Sequence, residues 1–198
     1  MDLLRLGIVY LHLIACCVAL GLVLMSDLAM VKRLMNGDAR EDPDHLDYLQ
    51  KVVSSALAVL WLTGIAVISL DATERGWEYF LNPKLQAKVA IVLLLTVNGV
   101  FLHRSILPLM KKTGSLLDLP LDHRFLAIFS GAVSAVSWFY AAMLGIGRPL
   151  NWKYSLTELL AAYPVLISGA FLGMLLLAAW ARRQSMDGHG EVQLELAR

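Results

Sequence analysis

Five apolar runs of about twenty residues each decide what this chain can fold into, because a helix of that length crosses the ~30 Å hydrocarbon core of a bilayer. They extend from Leu3 to Ser26, Val52 to Leu70, Leu85 to Leu107, Phe125 to Ile146 and Leu156 to Trp180. Lipid offers the backbone no hydrogen-bond partners, so each run must satisfy its own amides as a helix. The expected fold is all-α: a polytopic bundle of five transmembrane helices over residues 1–183, then a polar, flexible cytoplasmic tail over 184–198. With 58% hydrophobic and 17% charged residues, the chain has no stretch from which a separate water-soluble domain could be built.

Breakers fall between the runs: Asp42, Pro43 and Asp44, then Asn82 and Pro83, Pro108 and Pro120, and Arg148 with Pro149. The first run reads as a retained span rather than a cleaved signal, since Lys32 and Arg33 follow it without a small-residue cleavage site. Orientation follows from basic residues, which are retained on the cytoplasmic side. Of the 17 Lys and Arg, eleven lie in the first and third loops and the tail, and six on the other side. This asymmetry predicts the N-terminus outside the cytoplasm and the C-terminus inside. A net charge of +1 without a long basic run excludes nucleic acid as a partner, since phosphate neutralisation needs clustered cations. Asp38, Glu41, Asp42, Asp44 and Asp47 surround His45 in the first loop, and a solvated loop explains this cluster better than a metal site does.

Within the spans, ionisable side chains are costly unless paired, hydrated or functional. His12 lies about 13 Å in from the start of the first span, beyond simple snorkelling, on a face with Ala15, Cys16 and Ala19. Such a small-residue face admits a neighbouring helix or a flat ligand. Trp61, Trp138 and Tyr163 bring aromatic groups to a similar depth, and Pro164 beside Tyr163 withholds a helix donor from the Leu160 carbonyl. Ser130, Ser134, Ser137, Ala141 and Gly145 form a second small-residue stripe along the fourth span. In the fifth, Gly169 and Gly173 form a GxxxG pair that suits contact with another helix or a homo-oligomer. The third span holds Lys88 near its outer end, Asn98 deeper, which needs an interhelical partner, and His103 near the inner surface, an interfacial hydrogen-bonding group.

Tyr10-Leu11-His12-Leu13-Ile14 in the first span, with Leu85-Gln86-Ala87-Lys88 and Val89 to Leu95 in the third, resembles the bacterial membrane protoporphyrinogen oxidases and related haem-binding membrane proteins. The resemblance covers these two spans, in a chain of five spans where that family has four. It implies a bacterial inner-membrane protein and a haem or related tetrapyrrole site at His12 and Lys88, with His12 as the metal ligand. A b-type haem is implied, because no CxxCH attachment motif occurs. Two readings of His12 stay open, an iron ligand and an interhelical hydrogen bond. Three stay open for Lys88: the opposite ligand, a propionate partner, and a snorkelling cation.

Walker A, HExxH, CxxC and nucleophile-elbow motifs are absent, as is a carboxylate pair deep in a span. Two functions from different classes follow. One is a haem-b redox protein or oxidase working between a membrane substrate and a redox partner, with His12, Lys88, Trp61, Trp138 and Tyr163 around its cofactor. The other is a non-enzymatic small transporter or assembly partner in which these residues are structural.

Overall fold

The computed structural model describes residues 2–36 and 42–196. Six α-helices form five long rods: α1 (Asp2–Met35), α2 (Pro43–Arg75), α3 (Pro83–Phe101) continued through a π-turn (Leu102–Ile106) into α4 (Leu107–Thr113), α5 (Leu121–Ile146) and α6 (Leu156–Leu196). A short 3-10 turn, Trp77–Leu81, joins α2 to α3. Local chemistry accounts for the ends. Asp42 caps α2 by accepting from the Asp44 amide at 3.0 Å, with Pro43 in the first turn where no amide donor is needed. Asn82 and Pro83 repeat the device at α3, with the Lys84 amide 3.0 Å from the Asn82 side chain. Ser155 and Glu158 form a reciprocal capping box at the start of α6. At the end of α2, Gly76 takes φ 76°, a conformation that a residue with a Cβ resists, and its amide returns to the Ala72 carbonyl.

Five helices are long and apolar enough to cross a membrane: Leu3–Met35, Pro43–Arg75, Pro83–Thr113, Leu121–Ile146 and Leu156–Gln184. Their large apolar side chains face outward. Leu6, Leu62, Val97, Val165 and Leu176 are 66–72% exposed, an arrangement that water would penalise and lipid rewards. The fold is therefore that of an integral membrane protein in a lipid bilayer.

The helices are longer than the apolar runs. α1 continues to Met35, α2 begins at Pro43, and the third rod continues past Pro108 to Thr113. Charge ends a hydropathy run, but it does not end a helix that leaves the apolar layer and remains capped. Pro108 cannot donate to the preceding turn and its ring crowds the carbonyl four residues back. One wide turn relieves this, with the Leu107 amide reaching the Leu102 carbonyl. The segment expected as a polar tail from residue 184 continues α6 to Leu196. In the first loop, Asp38 and Glu41 lie outside the described residues, Asp42 is the α2 cap, and Asp47 pairs with Lys111.

α5 is the central helix, packed on α3 and α6 and touching α1. Ala87, Ile91, Tyr140, Ala141, Leu144, Leu159 and Tyr163 form one core where α3, α5 and α6 meet. Asn98 and Ser130 tie α3 to α5 reciprocally: the Asn98 amide donates to the Ser130 carbonyl at 2.9 Å, and the Ser130 hydroxyl donates to Asn98 Oδ1 at 2.8 Å. α2, by contrast, packs along α1 and reaches α3 chiefly through side chains. Trp61 Nε1 donates to Thr96 Oγ1 at 3.0 Å, and Ser54 Oγ lies 3.3 Å from His103 Nε2. The α1–α2 hairpin thus stands off from α3 and α5, and the space between them is a cavity.

Candidate binding cavity

The cavity measures about 1140 Å³ and opens at the end of the bundle where α1 begins, α2 ends and α3 begins. Its lining extends along α1 from Arg5 to Leu20, roughly 22 Å of helix. Polar groups ring the mouth, among them Arg5, Asp71, Arg75, Asn82, Lys84 and Asn151. Its floor is apolar, where Leu95 and Trp138 join the cluster that includes Ala19 and Ala56.

His12 and Cys16, one turn apart on α1, face this space with Lys88 of α3. His12 Nδ1 lies 2.7 Å from Thr63 Oγ1 on α2. The Thr63 hydroxyl also lies 2.6 Å from the Val59 carbonyl, which can only accept, so its single proton goes there. Thr63 must therefore accept from His12. The neutral imidazole carries its proton on Nδ1, and Nε2 keeps a lone pair with no partner among the described residues. Gly64 lies against the ring, where a Cβ would meet His12 Cε1 at 3.6 Å, an ordinary van der Waals contact. Gly145 lies against Lys88 in the same way, with Nζ 3.5 Å from the Cβ position. Lys88 forms no hydrogen bond or ion pair with a described residue, and its charge reaches both His12 and Cys16.

The mouth is held by an ion pair. Arg5 Nε donates to Asp71 Oδ1 at 2.9 Å and Arg5 Nη2 to Oδ2 at 3.4 Å, while the Tyr79 hydroxyl donates to Oδ2 at 3.1 Å. Burial first, and then the neighbouring Asp71 carboxylate, push the Tyr79 phenol up from its ordinary value. It remains a donor at neutral pH. Beside it, buried Asn82 donates to Asn151 Oδ1 at 2.5 Å and ties the start of α3 to the loop before α6.

Of the residues singled out from the sequence, His12, Lys88, Trp61 and Trp138 line this one cavity. Tyr163 does not. Its hydroxyl lies 2.8 Å from Ser137 Oγ, its ring packs on Tyr140, and the Tyr140 hydroxyl donates to the Leu159 carbonyl. His103 belongs to the π-turn at the other end and lies outside the lining. Gly169 and Gly173 have nothing within 4 Å of their Cβ positions, so the GxxxG pair faces away from the other described helices. Sequence reasoning passed over Arg5, Asp71, Tyr79 and Thr63. One available signal was Asp71, an acid directly after an apolar run, at the same end of an antiparallel hairpin as Arg5.

Comparison with known proteins adds no relative: no family model, curated protein or solved structure matches the chain. Fold and cavity together define a class, an integral membrane helix bundle with a cavity between its first hairpin and its third and fourth rods.

Proposed function

We propose that this chain is a haem-b-binding redox protein or oxidase of a bacterial inner membrane, with the N-terminus of α1 outside the cytoplasm and the cavity in the outer half of the bundle. The observation that carries the reading is the His12 imidazole. Thr63 holds its Nδ1 proton, so Nε2 is left as a neutral nitrogen donor on a side chain that lines the cavity.

The residues present fit the group. Pockets of roughly 300–1,000 Å³ accept drug-sized ligands, and a cavity of about 1140 Å³ has room for a tetrapyrrole. Trp61 and Trp138 supply aromatic walls that exclude water. His12 would bind the iron. Lys88 is placed to neutralise a propionate or to serve on the opposite side, and its side chain forms no ion pair with a described residue. A bound haem supplies one-electron transfer between ferric and ferrous iron. The chain's own part is to orient the ligand through Thr63, keep water from the floor through the Leu95 and Trp138 cluster, and fix the mouth through Arg5, Asp71 and Tyr79. The outward-facing Gly169 and Gly173 suit a contact with a second copy.

The test is an absorbance spectrum of the detergent-purified protein from haem-replete cells. A Soret band with visible bands that sharpen on reduction is expected. A colourless preparation overturns the reading and favours a non-enzymatic transporter or assembly partner.

A further inference from the structure

At the end of the bundle opposite the His12 cavity, α5 enters and α6 leaves side by side, with a groove of about 410 Å³ between them. Its walls are apolar, built from Phe125, Ile128, Leu175 and Ala178. Its rim is basic, with Arg124, Arg182 and Arg183, and no Asp or Glu among the described residues lines it.

The three arginines differ in how firmly they are held. Arg124 is fixed from behind: Nη2 donates to the Leu119 carbonyl at 2.8 Å and to the Leu117 carbonyl. Its Nε is buried and has no partner among the described residues. Arg182 and Arg183 form no hydrogen bond or ion pair with a described residue, and the Arg182 charge acts on Arg124. Asp118 also acts on Arg124 but is not part of the groove. Like charges gathered over an apolar slot without a lining carboxylate are an arrangement that an anion relieves.

We propose that this groove is a binding site for an anionic phospholipid, its phosphate among Arg124, Arg182 and Arg183 and an acyl chain along Phe125, Ile128 and Leu175. Depth agrees with chemistry. Arg124 lies about 5 Å along the axis from the first residue of α5, the level at which a headgroup meets a span. A free phosphate would satisfy the rim and leave the apolar slot below it unused. A zwitterionic lipid would fill the slot while bringing its own cation against the arginines. An anionic glycerophospholipid matches both halves, as basic pockets between transmembrane helices do elsewhere.

The test uses the full-length protein, delipidated in a neutral detergent and titrated with phosphatidylglycerol or phosphatidylcholine of identical acyl chains. Bound lipid is counted by native mass spectrometry and Tm is followed in parallel. Phosphatidylglycerol should be retained ~10-fold better or more, raise Tm, and resist displacement by inorganic phosphate. Arg182→Gln with Arg183→Gln should bring the preference to within ~2-fold, as two of the rim charges are removed. Ala179→Trp, which fills the groove without changing charge, should also release the lipid, whereas Lys112→Gln should keep it. Equal retention of the two lipids overturns the proposal, as does displacement by phosphate or an equal loss in Lys112→Gln. If the double arginine variant does not purify, Arg183→Gln and Ala179→Trp decide the matter by the same outcomes.

Discussion

His12 Nδ1 lies 2.7 Å from the Thr63 hydroxyl, and that hydroxyl is itself 2.6 Å from the Val59 carbonyl. The second contact sets the direction of the first. With its proton directed to Val59, Thr63 holds His12 in the tautomer whose Nε2 is a donor to a metal. His12→Ala should therefore abolish haem retention. Thr63→Val, which keeps the shape and removes the acceptor, should weaken it by about 10–100-fold, the usual cost of losing a group that orients a ligand. Thr63→Ser should restore it. Lys88→Met should have a smaller effect than His12→Ala, and His103→Ala should have none, because His103 lies outside the cavity. Soret absorbance per mole of purified protein measures all five. Loss in His103→Ala with retention in His12→Ala would place the site at the wrong end of the bundle.

Asp71 is buried while the Arg5 side chain is 41% exposed, so the two halves of their ion pair are not equivalent. Removing Arg5 leaves a buried carboxylate with Tyr79 alone, whereas removing Asp71 leaves a guanidinium that water can reach. Arg5→Met should cost about 1–3 kcal/mol of stability. The double variant Arg5→Met with Asp71→Leu should recover much of that, since an apolar pair leaves no unpaired buried charge. Thermal unfolding in detergent gives the comparison. A double variant less stable than Arg5→Met alone would mean that Asp71 is held by more than its ion pair.

The five rods could be read from hydropathy because lipid imposes one requirement on every residue of a span. The cap at Asn82 and Pro83 is also legible, since the side-chain acceptor and the missing donor are adjacent in the chain. Asn98 announced a need for a partner, but not that it would exchange bonds with Ser130, 32 residues away. The Arg5–Asp71 pair spans 66 residues, and each member alone looks like an ordinary interfacial charge. Depth placed Tyr163 with Trp61 and Trp138, but depth does not specify azimuth. Its side of α6 faces Ser137 and Tyr140, away from the cavity lining.

Ser130 is buried, and its reciprocal bonds with Asn98 join two spans where water cannot substitute. Asn98→Leu should destabilise the bundle by about 0.6–1.7 kcal/mol, from the average to the largest value measured for side-chain hydrogen bonds between membrane helices. Ser130→Ala should cost less, because the Ser130 backbone carbonyl still receives the Asn98 amide. Equal losses would show that the hydroxyl carries the interaction.

The distribution of basic residues makes a separate prediction about topology. Reporter fusions after Arg183 should be active as cytoplasmic fusions, and cysteines introduced at Trp77 should react with an impermeant thiol reagent added outside. The reverse pattern would put the His12 cavity in the cytoplasmic half and overturn the orientation.

Gly64 offers the sharpest separation between a ligand and a merely packed histidine. A Cβ at this position would meet His12 Cε1 at 3.6 Å, an ordinary van der Waals distance. Gly64→Ala should therefore keep the ring in place and retain haem, while gaining roughly 0.5–1 kcal/mol from the better helix former. Gly64→Leu differs, because its additional carbons must occupy either the ring's position or the cavity beside it. With open space on the cavity side, the helix hairpin can accommodate the leucine and the bundle should remain folded, but His12 can no longer approach a bound iron. The expected pattern is near-normal Tm and helical circular dichroism in both variants, with the Soret band kept in Gly64→Ala and lost in Gly64→Leu. A Soret band that survives Gly64→Leu would mean that the iron is bound by another residue, and His12 would then be explained by its bond to Thr63 alone.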